Sequence, residues 1–295
     1  MNVLHSFVNR ADRMKTNNNE SYVLSANSPA DMEEWVKVIR RVILSPFGGG
    51  IFGQKLDETM RHERRLDSSG CGTTSTGSRT SSRGSRRQAP IIVENCVEFI
   101  RTHGGLSEEG LFRLPGHANE VKELQDSYDM GDRPVFPGTT DVHTVASLLK
   151  GYLRELPEPV IPFDQYEPLI SSAKLLSANM TDDINDKKIA ESQKLFNEQL
   201  KLLPQSNFEL LRYICRFLDE VQLHSSVNKM DVSNLAMVFG PNIMRSKQED
   251  PMLMMADASY VQEVMKQFIS NHKIFFPDNP ELNPAAPSIP DVAVD

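Results

Sequence analysis

Apolar residues recur at helical spacing along most of the C-terminal two thirds of the chain. In PIIVENCVEFIRTH, Pro90 stands at a helix start, Ile92, Cys96, Phe99 and Ile100 repeat every three or four residues, and Gly104-Gly105 supplies the stop. The spacing predicts an amphipathic helix there. Asp141 is placed to N-cap a second helix running to about Glu155, whose apolar face carries Val142, Val145, Leu148, Leu149, Tyr152, Leu153 and Leu156. At about 100° per residue, Lys150 and Arg154 fall together on the opposite, outward face. Further helical periods cover Lys187 to Leu203, Phe208 to Leu223, Val232 to Val238 and Tyr260 to Phe268, with Pro204 and Gly240-Pro241 as punctuation. The main domain therefore reads as all-α.

The N-terminal stretch patterns differently. SYVLSA (21–26) alternates like a strand, and SPADMEEWVKVIRRVI opens with a Ser-Pro start before a helix striped by Met32, Trp35, Val36, Ile39 and Ile43. One strand and one helix make a fragment, since about 45 residues seldom hold an independent core without a metal or disulfides. Residues 66–88, LDSSGCGTTSTGSRTSSRGSRRQ, hold a single Leu among Ser, Gly, Thr and Arg, and read as a disordered basic linker. From Pro277 on, five prolines and four acidic residues predict a disordered tail over 278–295. No internal repeat is found.

Composition narrows the function classes. A length of 295 residues with 39% hydrophobic content suffices for one large or two ordinary domains. Cys71, Cys96 and Cys215 have no CxxC spacing and no accompanying His cluster, so neither a disulfide framework nor a metal site is predicted, and a reducing, cytoplasmic setting is expected. No stretch has the apolar length of a signal peptide or a membrane span. A net charge of -8 speaks against a chain-wide nucleic-acid surface, and no nucleic-acid partner is expected. Residues 61–88 nevertheless hold seven arginines against Glu63 and Asp67. That run is either a solvated spacer or a weak contact for an acidic membrane surface.

One loop carries candidate chemistry. In EEGLFRLPG, the turn formers Gly110, Pro115 and Gly116 surround Arg113, while Leu111 and Phe112 offer anchors to a core. A guanidinium held in this way suits a developing phosphate charge, being planar, multiply donating and always ionised. The alternative is an arginine paired with Glu108 or Glu109 on a solvated turn. Lys150 and Arg154 are equally open to pairing with Glu155 or Glu158. Asn242 follows a Gly-Pro break that turns its amide outward, or it satisfies local backbone. Asn234 reads as a structural hydrogen-bonding residue. Met230, Met237, Met252, Met254 and Met255 read as core filler with no assigned function.

EEGLFRLPG, then DVHTVASLLKGYLRELPEPVIP, then NKMDVSNLAMVFGPNIMR form an ordered set that closely resembles the Rho GTPase-activating protein (RhoGAP) family. The resemblance covers about residues 51–277. It implies an all-helical domain at 89–277, whose start lies in 46–65, interrupted by the 66–88 linker. By that resemblance Arg113 matches the catalytic arginine finger, Lys150 and Arg154 the basic pair that holds the finger loop and contacts the GTPase, and Asn242 an asparagine near the GTPase switch regions. The implied partner is a GTP-bound Rho, Rac or Cdc42-like protein, with nucleotide and Mg²⁺ belonging to the partner, so no cofactor is expected. The chain would be an enzyme activator without catalytic activity of its own, the alternative being a non-catalytic GTPase-binding or scaffold module. Residues 1–45 resemble the last strand and C-terminal helix of a PH domain. This points to the subgroup with a PH domain ahead of the GAP domain and to a Rac-like partner, although the early strands and their basic, phosphoinositide-binding loop are not in this sequence. The expected setting is cytoplasmic, with recruitment to membrane or cytoskeleton.

Overall fold

The computed structural model describes residues 50–68, 87–177, 182–248 and 250–277, the backbone of 12–16 and 19–23, and positions 26, 28, 31, 32, 35 and 39. The chain divides into two compact units, 1–49 and 50–295. In the first, β1 (Asp12–Thr16) pairs antiparallel with β2 (Asn19–Val23), Thr16 opposite Asn19 and Asp12 opposite Val23. The single strand expected from SYVLSA thus starts two residues earlier and has a partner. DRMKT carries three charged residues in five, so alternation does not reveal β1. The helix start at Ser28 is as expected: its Oγ accepts from Asp31 N at 3.1 Å, and Asp31, Met32, Trp35 and Ile39 are helical. Met32 and Ile39, however, are exposed, and Trp35 is only half-buried.

Among its described residues the regular structure of the second unit is all helical. Its helices are α1 (Leu56–Ser68), α2 (Ile91–Thr102), α3 (Ala118–Asp129), α4 (Val142–Glu155), α5 (Phe163–Ser177), α6 (Asp182–Lys201), α7 (Gln205–Leu223), α8 (Ser225–Asn228), α9 (Val232–Ile243), α10 (Pro251–Ser270) and α11 (His272–Phe275). Helix α4 lies at the centre, packed against α2, α3 and α9, with Val145, Leu148, Leu149, Tyr152 and Leu153 fully buried. Asp141 caps it as expected, Oδ2 accepting from Thr144 N at 2.9 Å. At the far end α5, α6, α7 and α10 enclose Phe196, Phe268, Phe275 and Phe276 in edge-to-face contacts.

The sequence pattern does not predict helix α1, yet it belongs to this core. Leu56, Met60 and Glu63, at i, i+4 and i+7, face inward, and Phe52 packs edge-on against Tyr152. The buried Glu63 carboxylate accepts from Ile91 N with both oxygens, at 3.2 and 3.0 Å, and so caps α2 from 28 residues away. Burial raises the Glu63 pKa to about 7, more than the Ile91 hydrogen bond and Arg87 lower it. Helix α1 runs to Ser68, past the Leu66 where a linker was expected to begin. Residues 69–86, most of the expected linker, and the tail 278–295 lie outside the described residues, whereas Arg87, at the linker's expected end, pairs with Glu94.

Candidate functional site

The EEGLFRLPG loop joins α2 to α3, and its backbone is bonded at almost every residue. A 3-10 turn, Gly105–Ser107, leads in. Gly110 N donates to Asn228 O at 2.8 Å, and Gly110 O accepts from Arg113 N and Leu114 N at 2.8 and 2.9 Å. Gly110 has φ 71°, which glycine adopts without penalty. Phe112 has φ 70°, a left-handed backbone that costs a bulky residue about 1–3 kcal/mol. Full burial of its ring edge-on against Phe217 and Phe239 offsets that cost. The strained turn reverses the chain, so that Leu111 and Phe112 point into the core and Arg113, next in sequence, is exposed. Among the described residues Arg113 forms no ion pair. Glu108 instead faces His143, Oε1 to Nε2 at 3.5 Å.

One face of α4 braces this loop. Thr144, Ser147 and Lys150 follow one another at i, i+3 and i+6. Thr144 Oγ1 accepts from His117 N and Ser147 Oγ from Gly116 N, each at 3.0 Å, while Lys150 Nζ donates to Phe112 O. Gly116 lies flat on the helix: a Cβ there would sit 2.3 Å from Thr144 Cα. Lys150 is half-buried under the loop rather than directed to solvent beside Arg154, which corrects the helix-wheel expectation for this residue. The wheel gives a direction from the helix axis and cannot show that a loop covers it. Burial, and secondarily the charge of Arg154, lower the Lys150 pKa. Arg154 remains 68% exposed, 4.0 Å from Glu155.

Asn242 lies inside α9, not after a break. The helix passes through Gly240-Pro241 to Ile243, and the half-buried Asn242 donates its Nδ2 to Val238 O at 2.7 Å. Proline removes one helical donor, but in the last turn of a packed helix that loss does not end the element. Gly240 lets α10 approach, since a Cβ there would lie 2.9 Å from Val261 Cγ1. The outward amide is thus replaced by a local backbone bond. Asn234 bonds Lys229 O at 3.1 Å, as a structural residue should. Of the five methionines, Met230 is core, whereas Met237, Met252, Met254 and Met255 are exposed. Helix α10 begins at Pro251, capped by Asp250, nine residues earlier than its apolar period suggested, because its first two turns bury little.

Asn228 is the site residue that composition and spacing did not reveal. It is fully buried at the end of α8; its side chain reaches α7 and the 3-10 turn that leads into the loop, and its carbonyl reaches the loop itself at Gly110. A polar residue at the foot of a turn has no periodic signature, and the Asn-Lys-Met run that contains it was the only available signal. Among the described residues no cluster of His, Cys, Asp and Glu is arranged to hold a metal, and no helix is long and apolar enough to cross a membrane. Cys96 and Cys215 are buried free thiols.

The chain has relatives among known proteins. The RhoGAP domain family profile matches residues 90–248, more than half of the chain. The chain belongs to the RhoGAP family. It is 55% identical over 271 residues to Rho GTPase-activating protein 24 of Homo sapiens and 52% identical over 270 residues to Rho GTPase-activating protein 22 of Mus musculus, each match covering 92% of this chain. The chain spans about a third of the length of these curated relatives, 32% and 34%. The crystal structure of human Rho GTPase activating protein 15 shares the fold, with a TM-score of 0.62 at 20% identity over 85% of this chain and 100% of that one. The BH domain of the GTPase regulator associated with focal adhesion kinase superposes with a TM-score of 0.54 at 25% identity, covering 64% of this RhoGAP chain and 94% of its own.

Proposed function

We propose that this RhoGAP chain accelerates GTP hydrolysis by Rho-family small GTPases, Rac-like members foremost, by supplying Arg113 in trans to the partner's nucleotide site. The observation that carries the reading is an exposed guanidinium, with no ion pair among the described residues, on a loop whose backbone is bonded on both sides of it. Preorganisation of this kind is what transition-state stabilisation requires, because the donor need not be ordered at the moment of reaction. Arg113 meets the charge that develops on the transferring γ-phosphoryl group. Lys150 fixes the loop from beneath, and Arg154, exposed one turn on, together with the α9 face around Asn242 is available to the partner. An arginine finger is worth about 10³–10⁵ in kcat among GTPases.

Single-turnover GTP hydrolysis by a Rac-like GTPase tests the proposal. Arg113→Ala should abolish most of the acceleration while leaving binding to the GTP-loaded partner in place. Arg113→Lys should be nearly as poor, since an ammonium lacks the guanidinium fork. Equal rates with Arg113→Ala and wild-type protein would remove Arg113 from the mechanism. Binding without any acceleration by the wild-type chain would mark a non-catalytic module. A panel of Rho, Rac and Cdc42 decides the preference.

A further inference from the structure

Asn228 commits its side-chain amide and its carbonyl to three separate segments. Its Nδ2 donates to Leu106 O at 2.8 Å and to Val221 O at 2.9 Å, its Oδ1 accepts from Met230 N at 2.8 Å, and its own carbonyl accepts from Gly110 N at 2.8 Å. Leu106 and Gly110 flank the acidic entry to the Arg113 loop, Val221 lies in the last turn of α7, and Met230 precedes α9. A single buried side chain and its carbonyl thus tie the loop to the two helices, α7 and α9, that bear Phe217 and Phe239. Those rings form the socket of Phe112. Behind it, Lys229 takes φ 60°, and Asn234 holds its carbonyl.

We propose that Asn228 is a positioning residue that sets the place of the Arg113 guanidinium through Leu106 and Gly110. The inference rests on the proposed GTPase-activating function. Only an amide of this length supplies two donors and one acceptor here. An Asp would turn an oxygen toward two carbonyl oxygens, and an Ala would leave Leu106 O, Val221 O and Met230 N without their partner. The two anchors act on opposite ends of the turn: Lys150 holds Phe112 O next to the arginine, and Asn228 holds the chain before it. A displacement of about 1 Å at a reacting group costs up to about 10²-fold in rate.

The test compares Asn228→Ala and Asn228→Asp with wild type in single-turnover hydrolysis by a Rac-like GTPase. Rates are scaled to the active fraction found by stoichiometric binding to GTPase loaded with a non-hydrolysable GTP analogue. The maximal rate should fall about 10–100-fold while half-saturation changes less than about twofold. In an Arg113→Ala background the same substitutions should add almost nothing, because their effect passes through the arginine. A wild-type maximal rate in either variant, or an equal loss with and without Arg113, overturns the proposal. Amide hydrogen exchange on the unaltered protein gives an arm that does not depend on variants folding. Gly110 should exchange as slowly as Met230, and fast exchange at Gly110 overturns the anchor. If the wild-type chain itself fails to accelerate hydrolysis, the proposed function falls, whereas the exchange result stands or fails by itself.

Discussion

Arg113 and Lys150 differ in what the fold asks of them, and stability measurements should separate them. Arg113 is exposed and pays no desolvation, so Arg113→Ala should change the melting temperature by no more than a surface substitution, within about 0.5 kcal/mol, while removing activity. Lys150→Met should do both: it removes the donor to Phe112 O and leaves a part-buried carbonyl unpaired, at about 1–3 kcal/mol, and it frees the loop. A thermal melt beside the turnover assay checks the pair, and an unshifted melt for Lys150→Met would show that the ammonium is not part of the brace. The motif made Arg113 legible as a candidate. It did not reveal that Phe112 takes the left-handed turn, because the sequence around a strained residue looks like any other Leu-Phe pair.

Capping at the helix starts divides into local and distant cases. Asp141 caps α4 from the adjacent position, which spacing alone predicts. Asp141→Ala should cost about 1 kcal/mol, read as a lower denaturant midpoint. Glu63 caps α2 across the Ser/Arg-rich stretch, and its raised pKa ties stability to pH. Its ordinary value is 4.5 and its folded value about 7, so the native state holds the proton more tightly than the unfolded chain. Its contribution is therefore fully present below about pH 4.5 and is lost as pH rises through 7, by roughly 3 kcal/mol in all. Between pH 5 and pH 8 the wild-type melting temperature should fall relative to that of Glu63→Gln, which keeps an acceptor for Ile91 N but does not titrate. Parallel melting curves for the two proteins across that range would exclude the carboxyl as the source.

Removal of whole segments should show which parts of the chain the core needs. A variant spanning 50–277 should fold and keep the wild-type maximal rate, since 50–295 is compact by itself. A variant starting at residue 89 should melt far lower or aggregate, because it lacks Phe52, Leu56 and Met60 from the core and Glu63 from the α2 cap, although the family match begins only at residue 90. Circular dichroism melts of the two variants decide this, and equal stability would show that α1 is dispensable. The helical class, the α4 register with its Asp141 cap, and the identity of the candidate arginine were all legible in the chain before folding, because these depend on periods and turn residues within one or two turns of chain. The folded chain was needed to show that α1 joins the core, that α9 continues through Gly240-Pro241, that four methionines face solvent, and that Asn228 lies at the foot of the Arg113 loop. Each of these is settled by a partner tens of residues away, or by packing that outweighs a local preference, and neither is encoded in the spacing of neighbours.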